Sequence, residues 1–196
     1  MDTTASMSRG RYGFERRGWW AAVGVLVVVV LLWLVPAVAD DAMAQPAASP
    51  VDPEATYRLI GDSGPEATVT PDASWLSSTG TSGPQLIFQT GDVAIVAQIF
   101  ADVENIDRLW DRQARLATAA NPPVWAQRQG VYTTAKGLSG PTGTLTGNRS
   151  QGERFLLASS RDPRTVLGFD IAGPPGSLDD AAETFERFLD SAEVRA

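Results

Sequence analysis

From Trp19 to Ala39 the chain runs for twenty-one residues without one charged side chain. A stretch like this has few places to go. At 1.5 Å per residue a helix of that length spans about 31 Å, the thickness of a hydrocarbon core of roughly 30 Å. Between Val23 and Val35 it holds eleven valines and leucines, whose insertion is favoured by roughly 3 to 7 kcal/mol. Trp19 and Trp20 are rings suited to the headgroup level. Arg9, Arg11, Arg16 and Arg17 precede the run, and Asp40 and Asp41 come directly after it. The positive-inside rule therefore puts the N-terminus in the cytoplasm and the remainder outside. The expectation is a single-pass transmembrane helix, an uncleaved signal anchor over 19–39. Its alternative is a secretory signal, because Ala37-Val38-Ala39 and Ala42-Met43-Ala44 offer cleavage after Ala39 or Ala44. Both readings export the C-terminal part of the chain.

The flanking segments divide accordingly. Residues 1–18 read as a cytoplasmic tail and 40–55, with Pro46, Pro50 and Pro53, as a Pro/Ala-rich spacer. Residues 56–196 are then one extracytoplasmic domain, long enough to bury a core without covalent staples.

Several function classes fall away on composition. The sequence contains no cysteine and no histidine. Thiol nucleophiles, disulfides, thiolate metal sites and every Ser/His or Cys/His arrangement are excluded. Net charge is −7, and residues 1–44 balance four arginines against four acids, so the excess lies after them. Nucleic acid is an unsuitable partner for such a surface. A single lysine, Lys136, among sixteen basic residues points to a GC-rich, actinobacterial source.

Within the domain, Tyr57 to Ile60 and Ala67 to Thr70 read as short strands, Pro71-Asp72 as a turn into Ser74-Trp75-Leu76, and Ser77 to Pro84 as a loop. Gln85 to Gln89 and Val93 to Phe100 form a hairpin about Gly91. Both faces of its second arm are apolar, which marks a central strand. Asp102 is placed to cap a helix to about Ala120, with Val103, Ile106, Trp110, Ala114 and Ala117 as its apolar stripe and Glu104–Arg108 and Asp111–Arg115 as exposed pairs. Further strands are expected over Val131 to Lys136, Gly143 to Gly147, Arg154 to Ser159 and Thr165 to Ala172. Ser177 then caps a last helix whose core face is Leu178, Ala181, Ala182, Phe185, Phe188 and Leu189. The order predicts an α+β domain: an antiparallel sheet with two main packed helices, preceded by the transmembrane helix.

Few residues invite chemistry. Asp102, Glu104, Asp107 and Asp111 suit a cap and helix pairing better than a cation site, and Asp179, Asp180 and Glu183 suit a helix N-terminus. Lys136 and Ser139 raise a Ser/Lys nucleophile in reversed order on a glycine-rich loop. Asn148-Arg149-Ser150 has the form of a sequon. No catalytic residue, metal ligand or cofactor-binding residue is assigned. Trp75 and Trp125, beside Pro- or Gly-rich loops, are the candidates for a binding surface.

The segment Ala67-Thr68-Val69-Thr70-Pro71-Asp72-Ala73-Ser74-Trp75, the hairpin at Gly91, the helix near Trp110, the second hairpin and the closing amphipathic helix together resemble the Mog1/PsbP-like fold of actinobacterial envelope proteins of the LpqN type. The likeness covers about Thr56 to Ala196, and the chain departs from those lipoproteins in lacking a lipidated cysteine. It implies a non-enzymatic binding or accessory protein of the envelope, held in the membrane through Trp19 to Ala39 and meeting an envelope protein or lipid. The alternatives are an envelope hydrolase using carboxylates or the Ser/Lys pair, and a secretion or signalling subunit acting through its membrane helix.

Overall fold

A computed structural model of the chain describes residues 48–62 and 64–195, which belong to one unit, Pro46–Ala196. The expected membrane segment at 19–39 and the tail before it lie outside the described residues. Among those described, no helix is long and apolar enough to cross a membrane.

Among the same residues, twelve strands and two α-helices succeed one another. They are β1 (Ser49–Pro50), β2 (Tyr57–Ile60), β3 (Glu66–Val69), β4 (Leu76–Ser77), β5 (Ser82–Gly83), β6 (Gln85–Thr90), β7 (Val93–Phe100), α1 (Ile106–Ala119), β8 (Val124–Thr133), β9 (Leu138–Gly147), β10 (Gln151–Ser159), β11 (Val166–Gly173), α2 (Ala182–Ser191) and β12 (Glu193–Arg195). Eight strands make an antiparallel sheet in the order β1-β4-β6-β7-β11-β10-β9-β8. Four make a second sheet, β12-β3-β2-β5, in which β2 and β5 run parallel. The α+β class with two packed helices is thus observed, with two sheets where one was expected.

The large sheet is the middle layer. Its strands alternate so that Leu86, Phe88, Ile95, Ala97, Phe155, Leu157, Leu167, Phe169 and Ile171 point to one side, where they meet Phe185, Phe188 and Leu189 of α2 and Leu59, Ala67 and Val69 of the small sheet. On the other side Leu156 and Val166 meet Leu109 and Trp110 of α1. Each of these large side chains contributes about 1.5 to 3 kcal/mol by leaving water. β7, apolar on both faces, sits between β6 and β11 as a central strand. Gly91, at φ +54°, makes the turn before it, a conformation that costs glycine nothing.

Several local expectations are corrected. Val51 is buried and β1 pairs with β4, so the end of the 40–55 stretch is folded rather than spacer. Asp102 does not cap α1. It adopts φ +53° while the Val103 N–H donates to the Arg164 carbonyl, which ties this segment to the β10–β11 turn and delays the helix to Ile106. Asn105 caps it instead, its side chain accepting from the Arg108 N–H at 3.0 Å. Among the described residues neither exposed pair expected along the helix comes within ion-pair distance; Asp107 reaches across to Arg128 of β8 at 2.6 Å.

Ser177 also fails as a cap, because its hydroxyl donates to the Pro174 carbonyl at 2.7 Å, and the chain enters α2 through a 3-10 turn at Asp179–Ala181. The strand expected over Val131 to Lys136 begins earlier, at Val124, and ends at Thr133. Being the outermost strand it is mostly exposed, with only Val124, Ala126 and Tyr132 half-buried, and its bulge interrupts the alternation. Opposite its centre, a Cβ on Gly143 would collide with the Gln127 carbonyl, so only glycine fits where β8 bulges between Arg128 and Gly130.

Candidate functional site

The face of the large sheet that carries α2 is not covered to its end. Beyond the helix N-terminus, β9 and β10 run on and leave an open cleft of about 410 Å³. Thr144, Thr146, Gln151 and Glu153 form its sheet floor, and Leu178, Asp179, Ala182 and Phe185 form its wall. The strand register places the tryptophan of β8 beside it. Trp125 lies opposite Thr146, and Gln127 opposite Thr144, so their side chains share the floor's face. Trp125 is 51% exposed, an indole left in water at the lip. The cleft joins an aromatic edge, an apolar back made by Leu178, Ile171 and Phe185, neutral hydrogen-bonding groups, and two carboxylates. It can seat an uncharged or basic group with an apolar part.

Trp75, the other tryptophan expected at a surface, is 1% exposed. Its ring meets Phe188 at 5.3 Å and Phe88 at 6.0 Å between centroids, inside the core. That expectation is corrected. Trp75 links β4 to α2 instead, and the turn before it is held by Asp72, whose carboxylate accepts from the Ser74 hydroxyl at 2.7 Å and N–H at 2.9 Å. Those two bonds, with Arg187 at 3.6 Å, hold the Asp72 carboxyl below its ordinary range despite slight burial. Trp110 is buried on α1, as its place in the stripe required.

The remaining candidates are dispersed. Lys136 donates to the Ser191 carbonyl at 2.8 Å and pairs with Glu193 at 3.5 Å. Ser139 bonds to Thr133 at 2.9 Å and donates to the Tyr132 carbonyl at 3.2 Å. The two side chains bond to different partners and not to one another. Lys136 does border a second groove of about 540 Å³ with Arg161, Asp162 and Glu193, but that groove has no aromatic wall. Asp102 pairs with Arg164 at 3.5 Å and Asp107 with Arg128, so the α1 carboxylates serve different neighbours. Asn148-Arg149-Ser150 is the exposed turn between β9 and β10.

One arrangement was not read from the sequence. Arg154 of β10 and Asp170 of β11 face each other on the α1 side, with Nε to Oδ1 at 2.7 Å and Nη2 to Oδ2 at 2.6 Å. The arginine side chain is 9% exposed, and its Nη1 has no partner among the described residues. The only signal was two opposite charges inside otherwise apolar strands. On the other side of β9, Tyr132 stacks edge-on against Phe155 at 5.1 Å, and burial together with Asp190 and Glu186 raises its hydroxyl above the ordinary tyrosine range.

No family model matches the sequence, and no curated protein matches it either. Solved structures do. The Ran-binding protein Mog1p of Saccharomyces cerevisiae is similar at 10% identity over 70% of this chain and 94% of its own, with a TM-score of 0.45. Cyanobacterial PsbP from Synechocystis is similar at 13% identity over 74% of this chain and 95% of its own, with a TM-score of 0.46. Mog1 and PsbP are also the names carried by the fold resemblance read from the sequence. It extends to fold alone, and the actinobacterial LpqN type is not shown by it.

Proposed function

We propose that this protein is a membrane-tethered, extracytoplasmic binding or assembly protein of a bacterial envelope, without catalytic activity, whose partner docks in the cleft edged by Trp125. The observation that carries the binding part is the pairing of a half-exposed indole with a walled cleft on the same sheet face. Exposed tryptophans bring large contact area at small conformational cost, and they recur at binding hot spots. Glu153 and Asp179, in a domain carrying the whole negative excess, favour an envelope protein that presents a neutral or basic segment. The tether rests on the uncharged run at 19–39 and its arginine flank. Absence of cysteine and histidine from the whole sequence supports the non-enzymatic part, as does the engagement of Lys136 and Asp170 in ion pairs of their own.

A photo-crosslinking residue at position 146, exposed on the floor of the cleft opposite Trp125, in the full chain expressed in its own envelope, tests this. The expected result is one recurrent adduct in the membrane fraction, absent when the same residue is placed at Gln89 on the opposite face of the sheet. Equal labelling from both positions, or recovery of the protein in the soluble fraction with a mature N-terminus at Asp40 or Gln45, would overturn the docking site or the tether respectively.

A further inference from the structure

β8 ends the eight-stranded sheet, and among the described residues nothing pairs with its outer edge. A long, exposed, weakly charged edge is a template for another strand. In ten residues it carries one charge, Arg128, and no carboxylate, within a chain of net charge −7. Trp125 and Val131 stand 51% and 67% exposed along it.

The bulge decides which strand fits. Before it, Trp125 and Gln127 point to the α2 side while Val124, Ala126 and Arg128 point to the α1 side, where Ala126 packs beside Trp110 and Arg128 reaches Asp107. The extra residue resets the alternation. After it, Gly130 and Tyr132 point to the α2 side, where Tyr132 meets Phe155, and Val131 and Thr133 point to the α1 side.

We propose that this edge joins two copies of the chain, β8 against β8, antiparallel about a two-fold axis midway between Arg128 and Gln129. In that register Trp125 faces the partner's Tyr132, Ala126 the partner's Val131, Gln127 the partner's Gly130, and Val124 the partner's Thr133. Both members of every pair lie on the same sheet face, as one continuous sheet requires. A regular strand could not do this about such a midpoint, because the paired positions differ by an odd number and would fall on opposite faces. A slip of one residue sets Trp125 against the partner's Val131 on the wrong face. Charge agrees with the same register: each Arg128 meets the partner's Gln129 rather than its own copy, and each is already neutralised by Asp107 at 2.6 Å. The interface is isologous, with the edge strand meeting itself. It also sets the partner's Tyr132 beside Trp125, so the cleft lip would be built from two copies. Pairing of this kind needs the edge alone and does not depend on the docking role given to the cleft.

The lack of native cysteine makes the test clean. In the full chain, held in detergent micelles or nanodiscs, Gln127→Cys with Gly130→Cys is expected to oxidise to a covalent dimer. Opposed antiparallel Cα atoms lie about 4.5 to 5.5 Å apart, within disulfide reach, while positions 127 and 130 of one strand are roughly 10 Å apart. Gln127→Cys with Val131→Cys, one residue out of register, is expected to stay uncrosslinked. Sedimentation of the unmodified chain should give twice the protomer mass, and Val131→Lys, at a position already exposed, should return it to the protomer with an unchanged circular-dichroism spectrum. A monomer at ~100 μM, equal crosslinking of both cysteine pairs, or an edge that takes up an added extended peptide while the chain stays monomeric, each overturns the proposal.

Discussion

Replacing Asp170 with asparagine keeps the shape of the side chain and removes its charge, leaving the Arg154 guanidinium in a site where only 9% of the side chain reaches water. Two charge-assisted bonds, at 2.7 and 2.6 Å, become at best one neutral bond. Removing one partner of a buried pair costs about 3 to 5 kcal/mol, mostly because the other charge stays buried, and the remaining amide oxygen puts this case near 3. That is a large part of a folding free energy of about 5 to 15 kcal/mol. In urea, with a slope of about 2 kcal/mol per molar, the midpoint should fall by roughly 1.5 M. The assay is equilibrium unfolding of residues 46–196 followed by circular dichroism. The double variant Arg154→Met with Asp170→Leu separates loss of the pair from burial of a lone charge. It removes both desolvated charges and the unpartnered Nη1, so it should unfold within about 1 kcal/mol of the parent, or later. A midpoint for Asp170→Asn within about 0.2 M of the parent, or a double variant no better than the single one, would refute this account of the pair.

The two tryptophans give opposite expectations under the same assay. Trp75→Ala should lose about 3 to 5 kcal/mol, and Trp125→Ala should lose no more than about 0.5 kcal/mol while abolishing the crosslink to the partner. Asp72, held below its ordinary range in the fold, contributes stability that is complete above about pH 4 and lost as pH falls through its lowered value. Asp72→Ala should therefore be less stable at neutral pH and show a shallower loss between pH 4 and pH 2. Tyr132, held above its ordinary range, has the reverse dependence: its share is present below about pH 10 and declines as pH rises past it, and Tyr132→Phe should flatten that alkaline loss in a pH-resolved melt.

What the sequence made legible was what is encoded locally. Leu167, Phe169 and Ile171 alternate because β11 lies in the middle of the large sheet, and Phe185, Phe188 and Leu189 recur at helical spacing because α2 shows one face to it. The first part of β8, from Val124 to Gly130, escaped detection for the complementary reason. An outer strand is not obliged to alternate, and Gln127-Arg128-Gln129 reads as loop until its neighbour is known. Trp75 and Trp125 have similar flanks, and nothing near either one in sequence separates them. One is buried by Phe188, far along the chain, and the other lies past the end of the helix that would have covered it. The capping of α1 turned on a contact as remote, between Val103 and Arg164. Of the cleft itself, only Trp125 could be named in advance, because the floor is made of two threonines, a glutamine and a glutamate of a kind that any exposed strand carries.

The last strand has a consequence for when this protein can fold. β12 closes the small sheet by pairing Glu193 with Thr68 and Val194 with Ala67, and Ser191 just before it accepts a hydrogen bond from the Thr70 N–H. The first quarter of the domain is thus completed by its final residues. A chain emerging N-terminus first holds β2 and β3 without their outer neighbour, and without Phe188 over Trp75, until nearly all of it has been delivered. The small sheet can be completed only once the tail of the chain is available to pair with β3.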